Sequence, residues 1–308
     1  SEWEGIPFYP SKINNKNGLF LFDTGADISL VNEKLLPENY DEERFLTLTD
    51  SKGIKQKKRI VKLDSFRLGS IKIKNIKMYP ADSSSWTDSK GTFFKNDSVI
   101  GVIGNNIIKN YVWDFNMVEK TVTISKSRKY CNNIPDSNAV DLISSDNSWY
   151  IPVLINDTQK KLTLDFGCSS PINISDTISL KRKFNIKGMT YKQNSLSAFN
   201  HLNPNKKSES DINFVDVSFG TNKFRRIKCF EKTESDLFGI PFIWSFERVV
   251  LNFNHDKAYF ISRSDSVGKF GVVNISNNFR AFSLAMALNM NEGKAEVTLR
   301  NDIKMPIK

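Results

Sequence analysis

Only two histidines occur in the chain, His201 and His255, in unrelated contexts. No H-E-x-x-H is present, which excludes a zincin-type site and leaves a histidine-dependent triad little to draw on. The three cysteines, Cys131, Cys168 and Cys229, sit far apart with no C-x-x-C. That spacing argues against a disulfide scaffold and against a zinc site, and the odd count leaves at least one thiol free. No apolar run approaches about 18 residues, so no transmembrane segment is expected. The sequence starts at Ser1 with neither Met nor a signal-like stretch. A trimmed form fits that start, and removal of a targeting segment would favour a secreted, periplasmic or surface-attached setting.

What is present points to β-structure. Apolar residues make up 39% of the 308 residues, so a real core can form. Phenylalanine is abundant at 23, β-branched residues recur in short runs, and Gly and Asn punctuate them. The net charge of +10 is spread thinly. In I-K-I-K-N-I-K-M (71–78) the lysines alternate with Ile, as on a half-exposed strand. There is no basic helix and no aromatic interleaving of the nucleic-acid kind, so the charge reads as a solvated surface and no nucleic-acid partner is expected.

The chain repeats itself once. Residues 6–31, I-P-F-Y-P-S-K-I-N-N-K-N-G-L-F-L-F-D-T-G-A-D-I-S-L-V, share a plan with 151–174, I-P-V-L-I-N-D-T-Q-K-K-L-T-L-D-F-G-C-S-S-P-I-N-I. Each has an Ile-Pro start, a polar turn, an apolar strand, D-x-G and a second apolar run. L-D-S-F-R-L-G-S-I-K-I-K-N-I-K-M-Y (63–79) resembles F-V-D-V-S-F-G-T-N-K-F-R-R-I-K-C-F (214–230), both a strand, a Gly turn and a strand. V-I-G-V-I-G-N-N-I-I (99–108) answers to D-L-F-G-I-P-F-I (236–243), and Y-V-W-D-F-N (111–116) to V-V-L-N-F-N (249–254). Four blocks in one order, offset by about 140 residues, predict two copies of one β-rich unit. The expected division is a first lobe over 1–130, a polar linker over 131–147, a second lobe over 148–262 and an extension over 263–308 without counterpart. Within it, 279–290 reads as a short helix or a strand, and 293–300 alternates like a strand.

A single Asp after an apolar strand can simply cap a turn. Two of them, Asp23 and Asp165, one per copy, allow more. Related by a pseudo-twofold axis they can meet, and two adjacent carboxylates share one proton. One then serves as base for a water and the other as acid towards a carbonyl, which hydrolyses an amide without metal, cofactor or covalent intermediate.

F-D-T-G-A-D-I-S-L-V resembles the active-site loop of aspartic proteases of the retropepsin and pepsin clan, and V-I-G-N-N-I-I-K-N-Y-V-W-D-F resembles that clan's apolar-Gly segment and following strand. The resemblance covers the first lobe well and the second more weakly. It implies an all-β fold of two pseudo-twofold-related β-barrel lobes with the active-site cleft between them. Asp23 and Asp165 match the catalytic pair. Thr24 matches the threonine that reaches across to the other loop, and Gly25 and Gly167 match the glycines of the tight turns. Ala26 and, opposite it, Cys168 match a small loop residue. Asp27 matches an acidic position near bound peptide, or else caps its own loop. Gly104 and Gly239 match the glycines of the psi-shaped motif, or are plain turn residues. A flap hairpin is expected near 49–56, with Gly53 at the tip. The implied partner is a peptide or protein substrate, and the tethered second lobe implies a monomer built as an internal pseudo-dimer.

The second loop departs from the pattern. Phe166 stands where the clan has Thr, so the reciprocal hydroxyl is absent, and its bulk predicts loops set farther apart. Ser169 and Ser170 are placed to hydrogen-bond Asp165 in partial compensation. Asn252, in place of Asp114, reads as a surface-strand difference. D-F-G also occurs in kinases, but no Gly-rich loop or H-R-D accompanies it. The sequence therefore predicts an aspartic endopeptidase; the alternative is a catalytically impaired protease-like protein whose cleft binds peptides or mediates assembly.

Overall fold

The computed structural model describes residues 2–3, 6–13, 16–36, 42–49, 55–69, 71–81, 99–119, 121–127, 129–145, 147–168, 170–176, 190–192, 209–243, 245–262, 285–291 and 294–300. The strands in the first copy are β1 (Glu2–Trp3), β2 (Ile6–Ile13), β3 (Lys16–Phe22), β4 (Leu30–Asn32), β5 (Glu42–Thr49), β6 (Lys55–Leu68), β7 (Ile71–Ala81) and β8 (Val99–Ile103). A one-turn helix α1 (Asn105–Ile108) follows, then β9 (Val112–Asn116), β10 (Thr121–Ser125) and β11 (Ala139–Asp141). The second copy contributes β12 (Ile143–Ser145), β13 (Ser148–Ile155), β14 (Thr158–Asp165), β15 (Ile172–Ile174), β16 (Thr190–Lys192), β17 (Glu209–Phe219), β18 (Asn222–Glu231) and β19 (Leu237–Gly239). Helix α2 (Ile240–Ile243), β20 (Phe246–Asn252) and β21 (Lys257–Ser262) complete it. A hairpin of β22 (Ala285–Asn291) and β23 (Lys294–Arg300) lies in the extension, so the ambiguous 279–290 stretch resolves as strand from Ala285.

Two eight-stranded sheets carry the duplication. Their orders are β1-β2-β3-β8-β4-β7-β6-β5 and β12-β13-β14-β19-β15-β18-β17-β16, the same topology strand for strand. In each, the strand before D-x-G runs parallel to the apolar-Gly strand: Phe22 is opposite Ile103, and Asp165 is opposite Gly239. The strand after D-x-G runs antiparallel to the same partner, Leu30 against Val102 and Ile172 against Phe238. This is the psi-shaped arrangement. It delivers each Asp to the end of a strand that is paired on both sides. The predicted Gly turns are hairpins, β6–β7 turning at Gly69 and β17–β18 at Gly220, both with left-handed φ.

A third sheet, β10-β9-β20-β21-β11, is assembled from both copies. In it Trp113 pairs with Leu251, its own counterpart in the repeat, so the pseudo-twofold axis passes through that pair. The stretch expected as a linker, 131–147, supplies β11 to this sheet and β12 to the second barrel. Here one reading of the sequence is corrected. Asp114 and Asn252 are not surface residues: both are buried. Asp114 accepts from Arg248 of β20 through Nε at 2.8 Å and Nη2 at 2.6 Å, and from the Tyr130 hydroxyl at 2.6 Å. A bidentate ion pair thus stitches β9 to β20, which burial of the carboxylate requires.

The phenylalanines explain themselves by packing. Phe219, Phe238, Phe242, Phe246 and Phe260 form one ring-against-ring cluster in the second barrel, with centroids 4.8–6.3 Å apart. All three cysteines are buried and unpaired. No helix among the described residues is long and apolar enough to cross a membrane.

Candidate active site

The apolar run 19–22 ends at the site because alternate residues of β3 face opposite ways. Phe20 and Phe22 enter the main core, while Leu21 joins a smaller cluster on the other face. The chain then turns. Asp23 is anchored from its own N–H to the Ile103 carbonyl at 3.0 Å, and the Gly25 N–H donates to Asp23 Oδ1 at 2.8 Å. The second loop repeats the pattern, with the Gly167 N–H donating to Asp165 Oδ1 at 2.7 Å. The Asn105 N–H donates to the Ala26 carbonyl at 2.8 Å, and the Ile240 N–H to the Cys168 carbonyl at 3.0 Å. Each short helix thus begins by holding the loop beside it.

The two carboxyl groups lie close enough for each to perturb the other's protonation. Each also lies against the glycine of the opposing loop. A Cβ on Gly25 would sit 2.8 Å from Asp165 Cγ, and a Cβ on Gly167 would sit 2.6 Å from Asp23 Cγ. Neither glycine has positive φ, so the requirement is close approach and not backbone conformation. Both Asp side chains keep part of their surface open while protein packs closely behind them. That burial raises the Asp23 carboxyl above its ordinary range, partly offset by donors at Gly25, by Asp165 and by Ala26. Asp165 is raised as well, by burial and then by the Asp23 charge, so the pair holds a shared proton well above the ordinary carboxylate range.

Thr24 crosses between the loops. Its hydroxyl donates to the Leu164 carbonyl at 2.6 Å and accepts from the Phe166 N–H at 3.0 Å. Phe166 lacks the returning hydroxyl, as the sequence indicates, but it does not spread the loops. Its ring is fully buried beneath them, edge-on to Phe22 at 5.2 Å and tilted on Phe115 at 4.8 Å, both from the first copy. The expected separation fails because the side chain points into the core shared by the two barrels.

The other predicted positions fall as follows. A Cβ on Gly104 would lie 2.7 Å from the Ala26 carbonyl oxygen, and one on Gly239 would collide with the Ser170 carbonyl oxygen; both strands pass hard against the active-site loops. Ala26 is half-buried, and Asp27 is exposed on its loop, its carbonyl accepting from the Asn106 N–H at 3.2 Å. Cys168 is buried with its Sγ 3.6 Å from the Ser170 carbonyl oxygen, and burial raises its thiol far from the nucleophilic range. Strands β5 and β6 pair as a hairpin where the flap is expected, with Thr49 opposite Lys55. Its tip with Gly53 lies outside the described residues, as does Ser169. Sequence reading passed over Asn105, whose side-chain amide donates to the Thr24 carbonyl at 2.9 Å and to the Asn147 carbonyl at 2.8 Å. Its only signal was its place after Gly104 in V-I-G-N-N.

Residues 9–107, which run from β2 through the D-T-G loop and Gly104 into α1, match the family described as aspartyl protease. Among solved structures, a retropepsin-like aspartic protease from Rickettsia conorii is similar at 17% identity and a TM-score of 0.28, over 40% of this chain and 86% of that one. No curated protein matches the chain. The similarity to the aspartyl protease family thus spans the first copy's D-T-G loop and apolar-Gly strand, residues 9–107.

Proposed function

We propose that this chain is an aspartic endopeptidase whose catalytic pair is Asp23 and Asp165, one from each lobe. The observation that carries the reading is the close carboxyl pair, each member packed against the opposing glycine. In the resting state Asp165 holds the shared proton and Asp23 is ionised. A water bound between them loses a proton to Asp23 and attacks the scissile carbonyl carbon, while Asp165 donates its proton to the carbonyl oxygen. The neutral tetrahedral diol then collapses. The proton on Asp23 passes to the leaving nitrogen, a diol hydroxyl returns a proton to Asp165, and amine and acid products leave. No bond forms to the protein, so the buried Cys168 has no part to play. The substrate is an extended peptide or protein segment, bound across the two lobes of a single chain.

The missing hydroxyl at Phe166 favours a second reading, in which the cleft captures peptides without cutting them. A peptide-library digest at pH 4–7, with and without an inhibitor that mimics the tetrahedral diol, separates the two. Cleavage that the inhibitor blocks, and that Asp23→Asn and Asp165→Asn each abolish, is the expected result. Peptide capture without turnover would establish the second reading, and cleavage that survives Asp23→Asn would refute the first.

A further inference from the structure

Asn105 is fully buried at the start of α1, and its amide orientation is fixed by its neighbours. Both acceptors it meets, the carbonyl oxygens of Thr24 and Asn147, can face only the NH2 group. Its Oδ1 is buried and, among the described residues, has no hydrogen-bond partner. An orphaned buried acceptor is costly, so the two donations made by the other end must repay it. Asn147 belongs to the turn that opens the second lobe and has left-handed φ of 64°. The side chain therefore ties the first active-site loop to the entrance of the second barrel.

The consequence lies one peptide away. A trans peptide is planar, so the Thr24 carbonyl and the Gly25 N–H point in opposite directions from one rigid unit. Asn105 holds the carbonyl end, and the N–H end donates to Asp23 Oδ1 at 2.8 Å. Donation into the carbonyl also polarises the peptide and strengthens the N–H as a donor. Among the described residues the second loop has no such device. At the position of Asn105 stands Ile240, whose backbone N–H repeats the bond to the loop but whose side chain has nothing to donate. The backbone is symmetric about the pseudo-twofold axis and the side chain is not.

We propose that Asn105 is a positioning residue that acts through the Thr24–Gly25 peptide to keep Asp23 the ionised member of the pair, leaving the proton on Asp165. The proposal rests on the dyad reading above. Of the influences that oppose the rise of the Asp23 carboxyl, the largest is that same Gly25 donor. The titratable groups around Asp23 among the described residues are Asp165 on the opposing loop, the Cys168 thiol behind it and the exposed Asp27 on its own loop; α1 contributes none.

Two measurements on the full chain test it. In Asn105→Ala the acid limb of kcat/KM, which reports ionisation of Asp23, moves to higher pH by about half to one unit. kcat falls about tenfold while KM changes less than twofold, as expected for a group acting on the base and not on substrate binding. A folded Asn105→Ala with an unmoved acid limb overturns the proposal. The second measurement needs no activity and no variant at position 105: residue-resolved 13C titration of the wild-type carboxyls, assigned with Asp23→Asn and Asp165→Asn. Retention of the proton by Asp165 while Asp23 is ionised supports the proposal; the reverse order overturns it. A chain that cleaves nothing would sink the endopeptidase reading, and the same titration repeated on Asn105→Ala would still decide the role of Asn105: an unmoved Asp23 carboxyl in that variant overturns it.

Discussion

Restoring the second threonine, Phe166→Thr, looks from sequence alone like a repair. The structure makes it a lesion. Phe166 is completely buried, and its ring packs on Phe22 and Phe115 at 5.2 and 4.8 Å. Truncating such a ring costs about 3–5 kcal/mol when Phe becomes Ala. Threonine keeps Cβ and two further heavy atoms. By the pseudo-symmetry that places Thr24 Oγ1 between Leu164 and Phe166, its hydroxyl would reach the Phe22 carbonyl and the Thr24 N–H. Those bonds return about 1 kcal/mol. The net expectation is a loss of about 2–4 kcal/mol, seen as a fall in Tm of about 3–6 °C at this chain size. Scanning calorimetry at fixed pH measures it, with far-UV circular dichroism to show that the fold persists. kcat/KM should not rise. A Phe166→Thr protein as stable as wild type, or more stable, would refute the claim that the aromatic cluster has taken over the bracing role.

Other perturbations have equally definite outcomes. Gly167→Ala puts a Cβ 2.6 Å from Asp23 Cγ; the carboxyl must move by about an ångström, and a loss of about 100-fold in kcat/KM is expected in a folded protein, read by steady-state cleavage. Asp165→Asn should raise Tm at neutral pH. The folded carboxyl keeps its proton to higher pH than the unfolded one, so its contribution to stability is fully present below the unfolded value near 3.9 and is lost as pH rises through the raised folded value. The gain over wild type should therefore vanish towards pH 4, and a constant gain across pH 4–8 would contradict the shift. Arg248→Met strands the buried Asp114 with Tyr130 alone. Because the Arg248 side chain is 39% exposed, solvent screens part of the pair, and denaturant titration should show a loss of about 1–2 kcal/mol, not the larger figure of a fully buried pair.

Much of this was legible in the residues. The D-x-G loops, the apolar-Gly strands and the Gly-turn hairpins are local patterns, each short enough for its spacing to dictate its geometry. Their recurrence in one order carried the duplicated sheet topology as well. Sequence also placed Asp23 and Asp165 at corresponding strand ends. It could not say what Phe166 does, because that depends on whether the side chain turns into the interface or into the core beneath, and the core is made of Phe22 and Phe115, some 140 and 50 residues away. Nor could it show that Asp114 is buried: its partner Arg248 is supplied by pairing of β9 with β20, a register set only when the two copies meet. Asn105 was unreadable for the same reason, since its meaning lies in the Thr24 and Asn147 carbonyls on either side of it. The sequence by itself determined the two carboxylates and the strands that deliver them. Only the tertiary structure decided how close they come and what holds their loops together, because those depend on packing between segments that sequence proximity does not bring together.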